Sequence, residues 1–250
     1  MATAGFRFTW FGHACVEVVT PGGRTILLDP WFGNPRSPRA AADVSACDIL
    51  LVTHGHGDHL GGDPADPAAV ESVAIAARTR PAWPAIHELA LWLREVARTP
   101  ADVLGMNKGG TLEARGIAVT MTHAEHSAGA WHGPQGDLLA FGEPVGFVVA
   151  LENGTRLYHA GDTAVFGDMA LIGELHRPDV AFLPIGGHYT MDPVGAAKAV
   201  ELLGVRTVVP IHYGTFPALA GTPGQLRAAL DARGLAAVTM LAPEPGVPVG

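Results

Sequence analysis

Cysteine is nearly missing: Cys15 and Cys47 are the only two in 250 residues, and they form no CxxC pair. That excludes a disulfide framework as the source of stability and fits a reducing, cytoplasmic compartment. Basic residues are also scarce, with 16 Lys and Arg against 24 Asp and Glu and a formal net charge of −8. No run of Lys and Arg offsets this balance. Nucleic acid is therefore not an expected partner, because phosphate backbones are held by clustered cations. The sequence has no apolar run of roughly 18 residues or more, so no membrane span is expected. The segment from Met1 to Trp10 lacks the basic-then-apolar layout of an export signal. The expectation is a cytoplasmic protein acting on a small molecule, with a homo-oligomer left open.

Apolar residues, by contrast, make up 48% of the chain, enough for a large core. No linker or low-complexity stretch divides it, so 1–250 reads as one domain. Short apolar runs at 6–11, 15–19, 25–28, 48–52, 117–121, 146–151, 156–159, 180–184 and 207–211 read as strands. Helices are expected over 67–78, 84–98, 192–203 and 222–233, the last two announced by Asp192-Pro193 and Thr222-Pro223. Strands and helices mixed in two halves imply an α/β sandwich with helices outside two sheets.

Chemistry-bearing residues collect just after these strands. The densest stretch is Thr53-His54-Gly55-His56-Gly57-Asp58-His59, directly behind the apolar run 48–52. Imidazole and carboxylate are ligands for zinc, iron or manganese. The intervening glycines permit tight turns, so His54 and His56 can face one way and Asp58 and His59 the other, a layout able to hold two metals. Four further strand ends carry His123 and His126, Asp162, His188, and His212. Loops on a rigid scaffold are where catalytic groups concentrate. His159, inside a strand pattern, reads as a packed core histidine, and His87, His132 and His176 as surface or loop residues. Ser127 and Cys15 have no evident triad partner.

The set His54-x-His56-x-Asp58-His59, followed by His126, Asp162 and His212, resembles the metallo-β-lactamase superfamily. It is most similar to a family of metal-dependent hydrolases related to the ascorbate-6-phosphate lactonase branch. Phe11-Gly12-His13, Leu28-Asp29-Pro30, Asn107-Lys108-Gly109-Gly110-Thr111 and the stretches 158–163, 166–169, 184–191 and 210–217 extend the resemblance over nearly the whole chain. The resemblance implies an αββα four-layer sandwich. It implies a first metal on His54, His56 and His126, a second on Asp58, His59 and His212, and Asp162 bridging both. Of the two loop histidines, it selects His126 over His123. Two divalent ions are implied, zinc first, with manganese or iron(II) as alternatives. They would share a water lowered in pKa, with Asp58 and Asp162 as the catalytic carboxylates. Asp29 would steady the metal loop, and His13 and His188 are candidates to support or line the pocket. The segment 128–143, rich in Trp, Pro and Gly, is a candidate pocket wall.

The implied activity is hydrolysis of a small ester-like bond: phosphodiester, lactone, thioester or amide. A mononuclear-iron oxidoreductase on the same fold and a metal- or ligand-binding protein without turnover are the alternatives. His56, where a di-iron flavoprotein would carry glutamate, weighs against that type of oxidoreductase.

Overall fold

The computed structural model describes residues 5–132 and 137–250. The first half of the chain begins with an antiparallel meander, β1 (Arg7–Trp10), β2 (Val16–Val19) and β3 (Thr25–Leu28). It continues as a parallel run, β4 (Ile49–Leu51), β5 (Ala82–Ile86) and β6 (Asp102–Met106). The one-turn α1 (Gly57–Leu60) follows β4, then α2 (Glu71–Thr79), with α3 (His87–Glu95) between β5 and β6.

The second half repeats the plan. β7 (Thr111–Ala114), β8 (Ile117–His123) and β11 (Val145–Ala150) form a meander that continues antiparallel to β12 (Arg156–His159). A small separate hairpin, β9 (Ala130–His132) and β10 (Asp137–Leu139), interrupts it. From β12 the pairing turns parallel through β13 (Val180–Pro184), β14 (Thr207–Ile211) and β15 (Thr239–Met240). The connecting helices are α4 (Met169–His176), α5 (Pro193–Leu203) and α6 (Pro223–Ala232). Last, β16 (Pro248–Val249) returns to the edge of β1. The result is two seven-stranded mixed sheets.

The sheets meet face to face: Phe8 on β1 packs edge-on against Phe182 on β13, ring centroids 5.3 Å apart. Val18, Ile26, Leu28, Val149 and Leu157 line the same interior. Helix α3 packs on β5 and β6, and α5 packs on β13 between α4 and α6. This is the αββα sandwich expected from the sequence. The five residues of β13 are all buried, as expected for a strand covered on both faces. Cys15 and Cys47 are both buried free thiols.

The structure corrects some element boundaries. The helix expected over 84–98 is instead β5 followed by α3. The helical spacing of Ile86, Leu89 and Leu93 is real, but Ala82–Ile86 pairs with β6 over its whole length and is buried throughout. Sheet pairing thus overrides local periodicity there. The 67–78 helix is a 3₁₀ turn, Pro67–Ala69, before α2. Strands β6 and β7 and helix α4 carried no clear pattern and were not expected. No described helix is long and apolar enough to cross a membrane.

Candidate metal centre

Strand direction decides where the chemistry gathers. In the first sheet β1, β3 and β4 run the same way, because two antiparallel steps separate β1 from β3 and β4 is parallel to β3. In the second sheet β8, β12 and β14 likewise share one direction. The loops after these six strands carry His13, Asp29, 53–59, 123–126, Asp162 and His212, all at one rim of the sandwich. Backbone bonds tie the two sheets there: Val145 N donates to the Thr53 carbonyl at 3.0 Å, and His212 N donates to the His13 carbonyl at 2.8 Å.

Asp29 anchors the histidine-rich loop. Register pairs Leu28 with Leu51, so the residues after them lie side by side. Thr53 N donates to Asp29 Oδ1 at 2.7 Å, and Thr53 Oγ1 donates to Oδ2 at 2.9 Å. His59 Nδ1 lies 2.8 Å from Asp29 Oδ2. That contact leaves His59 Nε2 facing the site, the arrangement by which a carboxylate orients a metal-binding imidazole. The backbone is strained at this rim: His13, Asp29 and His212 have φ of 50°, 45° and 55°, a region side chains other than glycine seldom occupy. Gly161, next to Asp162, also has positive φ, and a Cβ there would meet the Thr53 Cβ at 2.7 Å.

Three groupings of ligand-type atoms result, each within 4.8 Å: His54, His56 and His126; His13, Asp58, His59 and His212; and His54, His59 and Asp162. Asp162 Oδ2 stands 3.1 Å from His212 Nε2, 3.4 Å from His59 Nε2 and 3.6 Å from His126 Nε2. All seven ligand positions expected from the sequence therefore converge, and His13 joins them. His188 does not; it is exposed, with its ring against Tyr189. His123 is half-exposed, 3.1 Å from Glu125 and 3.0 Å from Lys108 Nζ. His159 is buried in the core, with Nε2 3.1 Å from the Ala14 carbonyl. Within 128–143, residues 133–136 lie outside the described residues; Phe141 is buried against Gly55, where a side chain would overlap its ring.

The protonation pattern suits a cation. Burial holds His54 well below the ordinary imidazole value, and burial also lowers His56 and His126, so all three are neutral at pH 7. Burial acts to raise Asp162, but His212 and His59 outweigh it and keep the carboxylate well below its usual range. Burial likewise opposes ionisation of Asp58, yet the hydrogen bond from His13 and the charge of His59 bring it below the usual value. For His59 burial again acts downward, while Asp162 and Asp29 carry it well above the ordinary value. A buried imidazole wedged between two carboxylates in the metal-free protein takes up the charge a metal would otherwise supply.

Buried atoms left without hydrogen bonds test the fit more directly. His59 Nε2, Asp162 Oδ1 and both ring nitrogens of His212 have none among the described residues. Such orphans are costly unless another group completes them. Nitrogen and carboxylate donors at this spacing match borderline divalent ions.

Three site neighbours escaped the sequence reading. Thr215 Oγ1 is 3.0 Å from His13 Nδ1. Trp31 packs edge-on against His13 at 5.0 Å, and Phe216 lies 5.9 Å from the same ring. Nothing in their spacing marks them; Thr215 and Phe216 merely follow His212 closely. A separate cavity of about 850 Å³, lined by Phe8, Thr155, Val180, Val205 and Thr239, opens at the opposite ends of these strands and includes none of the residues of the three groupings. Its walls are mostly apolar, so the chemistry belongs to the histidine rim.

Comparison with known proteins agrees with this geometry. Residues 24–213 match the β-lactamase superfamily domain. A UPF0173 metal-dependent hydrolase of Koribacter versatilis is 46% identical over 227 residues, covering 90% of this chain and 92% of the relative. Another from Archaeoglobus fulgidus is 46% identical over 230 residues, 92% of each chain. The solved structure of Igni18, a metallo hydrolase of Ignicoccus hospitalis, superposes with a TM-score of 0.81 at 34% identity, covering 98% of this chain and 97% of that one. With its histidine rim built on the same sandwich, the chain belongs to the β-lactamase superfamily, among the UPF0173 metal-dependent hydrolases.

Proposed function

We propose that the protein is a dinuclear metal-dependent hydrolase that cleaves an ester-like bond in a small molecule. The observation that carries this reading is the pair of ligand groupings joined through Asp162, whose Oδ2 faces His59, His126 and His212 together. His54, His56 and His126 would hold one ion, and Asp58, His59 and His212 the other. Zinc is the first choice for this donor set. When bound, the two ions supply Lewis acidity and make a water acidic enough to serve as nucleophile near neutral pH.

The protein's own residues do the rest. Asp58 and Asp162 are held ionised, so each can orient a water by accepting its hydrogen bond. Asp29 fixes the ring of His59 and, through Thr53, the start of the loop. Trp31 and Phe216 place apolar surface beside His13 at the edge of the site, which supports an organic rather than a highly charged substrate.

The test is metal content by mass spectrometry on tag-free protein purified without added metal, with turnover of a chromogenic ester, lactone and phosphodiester panel. About two zinc or manganese ions per chain with turnover of any substrate supports the reading. One iron per chain with no hydrolysis overturns it.

A further inference from the structure

We propose that Thr215 and His13 form a positioning relay that holds the Asp58 carboxylate by one oxygen, leaving its other oxygen free for an ion in the second metal position. The proposal rests on the two-metal reading above and concerns residues that reading leaves without a role.

The His13 ring is fully buried and is held at both nitrogens. Nδ1 lies 3.0 Å from Thr215 Oγ1, and Nε2 lies 3.1 Å from Asp58 Oδ2. An ionised carboxylate only accepts, so Nε2 must carry the proton it shares with Asp58. In a neutral ring Nδ1 is then the acceptor, and the Thr215 hydroxyl donates to it. Thr215 thus selects the tautomer that can donate to Asp58.

The ring has little room to turn. His13 adopts left-handed backbone, and its carbonyl accepts from Trp10 Nε1 and His212 N, both at 2.8 Å. The rings of His212 and Trp31 close in at 3.8 and 5.0 Å. Although His13 stands within ligand distance of Asp58, His59 and His212, direct metal binding through Nε2 would need the lone pair that donation to Asp58 removes. Partners that orient a metal-binding side chain in this way are worth about 10–100-fold in metal affinity.

The experiment is cobalt(II) titration of the metal-free full chain, followed by visible absorbance. It compares wild type with Thr215→Val, Thr215→Ser and His13→Gln. Wild type should take up two equivalents. Thr215→Val should keep the first ion, bind the second about tenfold more weakly and shift the cobalt bands of that site. Thr215→Ser should restore both affinity and spectrum, which a merely space-filling threonine would not require. His13→Gln should weaken the second ion at least as much as Thr215→Val does. If His13→Gln fails to fold, the two Thr215 variants still decide.

A Thr215→Val protein with wild-type affinity and spectrum overturns the relay. So does loss of the second ion in His13→Gln alone, which would make His13 a ligand. A wild-type chain that binds only one cobalt overturns the two-metal reading itself, a result distinct from failure of the relay.

Discussion

Asp29 shows how one side chain away from the reacting bond can govern the site. It accepts from Thr53 N and Oγ1 and contacts His59 Nδ1, all without solvent access. Asp29→Ala would strand those donors and leave the His59 charge half compensated. The expected cost is about 3–5 kcal/mol in the metal-free protein, read from the urea midpoint. A loss below about 1 kcal/mol, the scale of an ordinary hydrogen bond, would contradict the anchoring role. His56 tests the other side of the centre. It is only partly buried, and its Nδ1 lies 2.8 Å from His54 Nε2. His56→Ala should lower bound metal by about one ion per chain and cut turnover by more than the ~10–100-fold typical of a supporting partner. Full metal content with unchanged rate would remove His56 from the ligand set.

At the scale of elements, α5 packs on β13, and α4 and α6 flank it. Helix α6 begins with a capping box: Gln225 N donates to Thr222 Oγ1 at 3.2 Å, and Thr222 N donates to Gln225 Oε1 at 2.9 Å. Thr222→Ala should cost about 1 kcal/mol in denaturant melts. Because no residue of the three groupings lies on α6, metal content and turnover per folded chain should stay at wild-type levels. Reduced metal content in that variant would mean that α6 and the rim are coupled. The misread element belongs to the same scale. Over 82–95, apolar spacing continues through strand β5 into helix α3, and only pairing of β5 with its neighbours reveals the break. The strands 25–28, 156–159, 180–184 and 207–211, by contrast, match the structure residue for residue. Each is a short apolar run bounded by turn or polar residues, a signal that needs no partner to be read.

For the whole molecule, metal and stability should be linked. An ion that binds only the folded chain stabilises it by mass action, about 2.7 kcal/mol when free ion stands at 100 times its Kd. The sheets are bridged at the rim by few backbone bonds, so ions there would also pin the two halves together. Chelation followed by removal of the chelator should lower the Tm by roughly 5–10 °C, and re-addition of zinc should restore it. An unchanged Tm after verified metal removal would show that the ions add nothing to the fold.

The sequence by itself determined which ligand-type side chains are on offer and their local order. The spacing His54-x-His56-x-Asp58-His59 behind an apolar strand specifies a turn that displays imidazoles and a carboxylate, because glycine placement and strand length are local properties. Only the tertiary structure decided which distant loops meet that turn. Asp162 and His212 arrive because parallel pairing brings the ends of β12 and β14 to the same rim, whereas His188, behind the strand between them, turns out to solvent. His13 and Thr215 are 202 residues apart, and their contact depends on left-handed backbone at His13 and on the bond from His212 N to the His13 carbonyl. Those are long-range constraints of register and backbone geometry, which local pattern in a chain does not encode in readable form.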